Sequence, residues 1–177
     1  MNIAGILEQQ ARRFGNRAAI VEPRQTITFA GLDRAAATAA ADMAAAGISA
    51  GMHVLVFAPM SIGLYTTLVG LFRLGAVAVF VDPSAGRELL IRGIDRVRPR
   101  AFVAVPRAHW LRLTTRAIRA IPIKASIGGA VPGARRISMN GSGSARARHL
   151  AESEMDTAML GALTLGATRY RRANGLT

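Results

Sequence analysis

Three short polar groups stand where this chain could do chemistry: Pro59-Met60-Ser61, Asp82-Pro83-Ser84, and Pro106 through His109. Each follows an apolar run (54–57, 77–81 and 101–105) of the kind that a buried parallel strand makes. Ligands of an open parallel sheet collect outside the carboxyl ends of its strands, so the three groups would border one crevice. Such a crevice suits a substrate or a nucleotide. Each residue also has a plainer use: Ser61 and Ser84 as helix caps, Asp82 in a turn, His109 as a half-buried helix residue. No carboxylate pair, Ser-His-Asp set or metal cluster can be assembled, so no catalytic or metal-binding residue is assigned.

The elements that would position these groups are organised around the stretch from Met52 to Pro83, where Arg73 is the sole charge between Met52 and Val81. Residues 54–57 predict a strand that stops at Ala-Pro. Ser61 can cap a helix over 62–74, which Gly75 ends, and 77–81 predict a second strand. Strand, helix and strand in so short a span make a right-handed βαβ unit. A membrane span is the competing reading, because 54–72 carry no charge. Pro59, Ser61 and Gly63 interrupt that run early, Arg73 would fall near mid-membrane, and valine clusters flank a helix-type centre. The buried unit is preferred.

Around this seed the pattern predicts helices over 3–14 (capped by Asn2), 29–46 (closed by Gly47), 87–97 and 106–119. It predicts further strands over 18–21, 26–28, 101–105 and 121–127, the last interrupted by Pro122 and Lys124. Strands alternating with helices at this spacing mean an α/β fold. The sheet should be mostly parallel, partly doubly wound and flanked by helices. From Gly128 the chain turns Gly-, Ser- and Arg-rich, residues 140–144 read as loop, and 159–165 resemble one more strand in an irregular C-terminal tail.

Composition narrows the classes. With 177 residues, 51% of them hydrophobic, the chain is long and apolar enough to bury a core and is not intrinsically disordered. Without cysteine it has neither a disulfide framework nor a thiolate metal site. Its start carries Glu8 and no basic segment before an apolar core, so no secretory signal is expected, and a cytoplasmic location follows by default. The net charge of +13 invites a nucleic-acid reading. That charge is almost all scattered arginine, with Lys124 the single lysine, and aromatics are only 5%, too few to interleave a stacking platform. No specific nucleic-acid partner is expected.

The order of residues from Thr28 to Pro83 resembles the opening of the AMP-forming acyl-CoA synthetases and related adenylate-forming ligases. Thr28-Phe29, Leu32, Gly47, Gly51, Val54, Pro59, Gly70, Gly75-Ala76-Val77 and Asp82-Pro83 follow the family's entry pattern, with Met60 where the family often has Asn. The stretch AFVAVPRAHWLRL is further similar to the branch that contains olefin-pathway β-lactone synthetases and long-chain acyl ligases. The resemblance implies ATP with magnesium as cofactors and a small-molecule carboxylate or acyl substrate. It also implies a Gly-rich phosphate loop, whose degenerate copy would be Thr164, Gly166, Thr168 and Gly175. Arg169 replaces a loop glycine there, Asn174 stands at the lysine position, and the spacing from Thr168 to Gly175 is too long.

On this reading residues 1–127 are a partial N-terminal α/β domain, and 128–177 are a loop with a degenerate phosphate-loop tail. The expectation is an N-terminal fragment of an AMP-dependent fatty-acid ligase, by truncation or gene decay, inactive as this chain alone. The alternative is a non-catalytic α/β module that binds a ligand or self-associates through an exposed sheet edge. A basic protein associated with a membrane surface or nucleic acid is the third reading.

Overall fold

The computed structural model describes residues 3–81 and 86–139. The chain opens with α1 (Ile3–Phe14), a hairpin of β1 (Ala18–Glu22) and β2 (Gln25–Thr28), and the long helix α2 (Phe29–Ala45). Then come β3 (His53–Phe57), α3 (Ile62–Arg73), β4 (Val77–Phe80), α4 (Gly86–Val97) and β5 (Ala101–Ala104). A 3-10 turn at Pro106–Trp110 leads into α5 (Leu111–Thr114), α6 (Arg116–Ala120), β6 (Ile123–Ile127) and β7 (Arg135–Ile137). Gly47 and Gly75, with φ of +94° and +71°, take the left-handed backbone that closes α2 and α3.

The main sheet is five-stranded, with order β4-β3-β5-β6-β7 and every neighbouring pair parallel. Its centre is apolar on both faces, as parallel strands between helices require. On one face Val54, Val56, Ala101 and Val103 pack with Met43 of α2 and Leu64 and Leu71 of α3. On the other, Leu55, Phe102 and Ala104 pack with Leu90 and Ile94 of α4 and Ile118 of α6. The chain runs from β3 outward to β4 and then back across β3 to β5. Because such crossovers are right-handed, this reversal sends α3 and α4 to opposite faces. The α/β class, the βαβ seed and the doubly wound sheet follow the sequence expectation. No helix among the described residues is long and apolar enough to cross a membrane.

Polar contacts tie the α2 side together. The Arg73 guanidinium at the end of α3 donates to Asp33 of α2, and the Ile62 N–H at the start of α3 donates to Glu22 of the hairpin. Asp42 of α2 accepts from the Ser138 N–H at 2.7 Å, just past β7.

Two local expectations need correction. The single helix over 106–119 is broken at Thr115, whose backbone is extended (φ −124°, ψ 107°). His109 and Ile118, 5% and 0% exposed, both reach the sheet side. They are nine residues apart (118 − 109 = 9), two and a half turns of a continuous helix, which would point them in opposite directions. Breaking the helix lets both be buried. Past residue 127, where the sequence suggested only loop, β7 adds a strand to the sheet and buries Ile137. The suggested strand at 159–165 lies outside the described residues.

Candidate ligand cleft at the strand ends

The point where the sheet order reverses lies between β3 and β5, and the carboxyl ends of those strands open into a cleft of about 530 Å³. Val56, Phe57, Ala58 and Pro59 line it at the end of β3, and Phe80 and Val81 at the end of β4. The opposite wall is Val105, Arg107, Ala108 and Leu111, from the 3-10 turn and the start of α5. A smaller space of about 310 Å³ adjoins it, shares Phe57 and Leu111, and runs along α4 past Arg87 and Leu90. Arg87 donates to the Thr114 carbonyl at 2.5 Å, which links α4 to the end of α5.

The cleft is apolar throughout except for Arg107. That side chain is exposed and forms no ion pair among the described residues. Arg107 is the second residue of the 3-10 turn, which Pro106 opens after Val105 has carried the chain out of β5.

The polar groups singled out from the sequence divide. Pro59 lines the cleft. Ser61 is a cap: its Oγ accepts from the Leu64 N–H at 3.2 Å and its hydroxyl donates to the Pro59 carbonyl at 3.0 Å. Pro106 starts the 3-10 turn. Asp82 and Ser84 lie outside the described residues, as do Thr164, Gly166, Thr168 and Gly175. Arg107 falls inside the group Pro106 through His109 and lines the cleft, whereas Phe57, Phe80 and Leu111 were not singled out.

His109 points away from the cleft into the sheet. Its ring meets Phe102 edge-on, with centroids 5.3 Å apart, and Nε2 lies 3.2 Å from the Ala125 carbonyl. A carbonyl only accepts, so Nε2 carries the proton, and the buried Nδ1 has no partner among the described residues. Burial holds the His109 pKa below its ordinary value. The Ala125 carbonyl opposes the shift, and the positive charges of Arg112 and Lys124 reinforce it. Lys124 is itself pulled below the usual lysine range by burial and then by Arg112. The Buried Ser126 Oγ is likewise unpartnered among the described residues.

The fold is an open α/β sheet with a cleft at its strand ends. The chain belongs to the AMP-binding enzyme family, which it matches over residues 7–168. It is 33% identical over 127 residues to an olefin beta-lactone synthetase of Stenotrophomonas maltophilia, covering 65% of this chain and 23% of that protein. An olefin beta-lactone synthetase of Xanthomonas campestris pv. campestris is also 33% identical over 87 residues, covering 49% of this chain and 16% of the relative. The chain thus spans about a quarter or less of the curated relatives it matches.

Among solved structures, the anthranilate CoA ligase AuaEII in complex with anthranoyl-AMP superposes with a TM-score of 0.65 at 22% identity, over 73% of this chain and 25% of that one. The N-terminal subdomain of Klebsiella oxytoca NpsA in complex with anthranilyl-AMSN gives 0.56 at 21% identity, over 58% of this chain and 27% of that one. These likenesses establish the fold.

The family implies the use of ATP, but the described cleft does not fit a nucleotide. Among the described lining residues it offers one cationic side chain and no other polar side chain for a base or ribose. No cluster of three or more His, Cys, Asp or Glu among the described residues could hold a metal ion.

Proposed function

We propose that this chain supplies the amino-terminal α/β part of an ATP-dependent, adenylate-forming ligase acting on acyl carboxylates, and that residues 1–177 alone do not turn substrate over. The family match over residues 7–168 carries the reading. The class reaction joins a carboxylate to the adenylyl group and releases pyrophosphate. It develops charge that preorganised donors must meet, and loss of one such donor costs about 10²–10³ in rate. The tail positions Thr164, Gly166, Thr168 and Gly175 are the remains of a phosphate loop on this reading. Asn174 cannot supply the cation of a loop lysine, and Arg169 adds a side chain where backbone would have to approach phosphate closely.

The test is pyrophosphate release by the purified chain with ATP, magnesium and a panel of aliphatic and aromatic acids. Release no greater than a no-protein control is the expected result. Turnover that Thr168→Ala abolishes would overturn the proposed inactivity.

A further inference from the structure

We propose that the free edge of β4 is a docking strip for residues 159–165 of the same chain, which add to the main sheet as a further strand beside β4.

The two edges of that sheet are finished differently. An uncovered edge presents unpaired N–H and C=O groups that recruit another strand, and charge, proline, bulges or very short strands block it. The β7 edge carries such blocks. It is three residues long, with Arg135 and Arg136 exposed. The Gly128 N–H donates to the Ile137 carbonyl at 3.1 Å, so Ile137 faces β6 while Ala134, Arg136 and Ser138 turn their backbone outward. Two of those outward donors are already used. The Ala134 N–H reaches the Val131 carbonyl at 3.1 Å, and the Ser138 N–H reaches the Asp42 carboxylate at 2.7 Å.

The β4 edge has no block. Residues 74–81 hold no charge and no proline, and the register with β3 runs unbroken from Val77 to Phe80. The Val77 N–H donates to the Met52 carbonyl at 2.8 Å, so Val77 and Val79 face β3. Ala78 and Phe80 therefore turn N–H and C=O outward, and no described strand or loop takes them up. The Phe80 ring beside them is 49% exposed. An apolar strand laid here would complete the ladder and cover that ring.

Residues 159–165, MLGALTL, suit this strip: they are uncharged, free of proline and longer than β4. The stretch 140–158 that leads to them can extend to roughly 60 Å. A place beyond β4 is only about 25 Å across the sheet from β7. Such a tether holds the segment near β4 at roughly millimolar effective concentration. A second copy of the chain lacks that advantage and brings its own charge of +13 against the first.

The test is amide hydrogen exchange on the full 177-residue chain, each rate normalised to that of the same residue in an unfolded chain. The Ala78 and Phe80 N–H groups should exchange at least about tenfold more slowly than the Arg136 N–H, at every protein concentration. Successive N–H groups of a strand point to opposite sides, so either Ala162→Pro or Leu163→Pro must remove a donor aimed at β4. At least one of the two should bring Ala78 and Phe80 to the Arg136 rate, while Val54 and Phe102 in the central strands stay protected. Ser144→Pro, outside the segment, should change nothing. A second measurement does not depend on a proline variant folding. The chain has no cysteine, and Phe80→Cys combined with Leu163→Cys should be joined within one chain by a short bismaleimide at least about tenfold faster in buffer than in urea.

Fast exchange at Ala78 and Phe80 in the unaltered chain, or cross-linking no faster than in urea, would overturn the docking. Protection that survives both proline variants would assign the edge to some other segment. Protection that grows with concentration alongside a sedimenting dimer would assign it to a second copy. Each of these outcomes overturns the proposal, and none depends on whether the chain adenylates acids.

Discussion

The two faces of the central sheet are built on opposite principles. On the α2–α3 side small residues bring backbones together. Ala36, Ala39 and Ala40 of α2 are buried, and Gly70 of α3 faces them so closely that a methyl group on it would stand 3.2 Å from the Ala36 carbonyl oxygen and 3.2 Å from the Ala40 nitrogen. On the α4–α6 side a few large side chains span the gap between the sheet and α4, α5 and α6, with Phe102, Leu55 and Ile118 fully buried. The strand-end cleft takes Phe57, Ala108 and Leu111 from this second side into its wall. The adjoining smaller space, lined by Phe57, Leu90 and Leu111, lies on this propped face, beside the short helix α5.

The contrast makes opposite demands on substitution. Deleting a prop should hurt the second face most. Phe102→Ala removes a fully buried ring that also supports His109 edge-on, and should cost about 3–5 kcal/mol in chemical denaturation. A loss under about 1 kcal/mol would show that the α4–α6 side is not held by that ring.

Adding atoms should hurt the first face. Gly70→Ala gains about 1 kcal/mol of helix propensity but must fit a methyl against two backbone atoms and within 2.7 Å of Met43 Cε. Overpacking of that kind costs about 1–3 kcal/mol, so the net should be a loss of up to about 2 kcal/mol. Because the Met43 tip can swing away and the backbone atoms cannot, Met43→Ala combined with Gly70→Ala should recover little. A stabilising Gly70→Ala would break the comparison.

Much of this was legible. The βαβ seed could be read because 54–57 and 77–81 are apolar on both faces, which few settings but a helix-covered parallel strand tolerate. Ser61 as a cap and Gly47 and Gly75 as helix ends could be read because each has a local mechanism. What could not be read depended on partners distant in sequence. The break at Thr115 follows from the need of both His109 and Ile118 to reach one sheet, which periodicity within 106–119 does not reveal. Strand β7, only three residues long and two of them arginine, gains its place from pairing with β6. The cleft was foreseen as a crevice bordered by polar groups. Its apolar lining came from strand-terminal residues, Phe57 and Phe80, that looked like ordinary core.

The smallest effect separates the faces by proton rather than by packing, since among the described residues only the second face encloses a histidine. His109 is held neutral by burial, with Arg112 and Lys124 on its charged side and no acid among its electrostatic neighbours. Its folded pKa is lowered, so between that value and the ordinary value of about 6.5 the unfolded chain binds more protons than the folded one. The stabilisation is therefore complete above about pH 6.5 and is lost as pH falls toward the folded value, by at most about 1.4 kcal/mol per pH unit. Glu22, whose pKa is also lowered, chiefly by Gln25 and then by the Ile62 N–H, begins to lose its contribution only as pH falls through the carboxylate range, below the interval from pH 7.5 to 5.5. Urea midpoints between pH 7.5 and 5.5 should fall for the unaltered chain. His109→Gln should be less stable at pH 7.5 and nearly flat across the interval. An unchanged slope in that variant would assign the pH dependence to some other group and leave the two faces electrostatically alike.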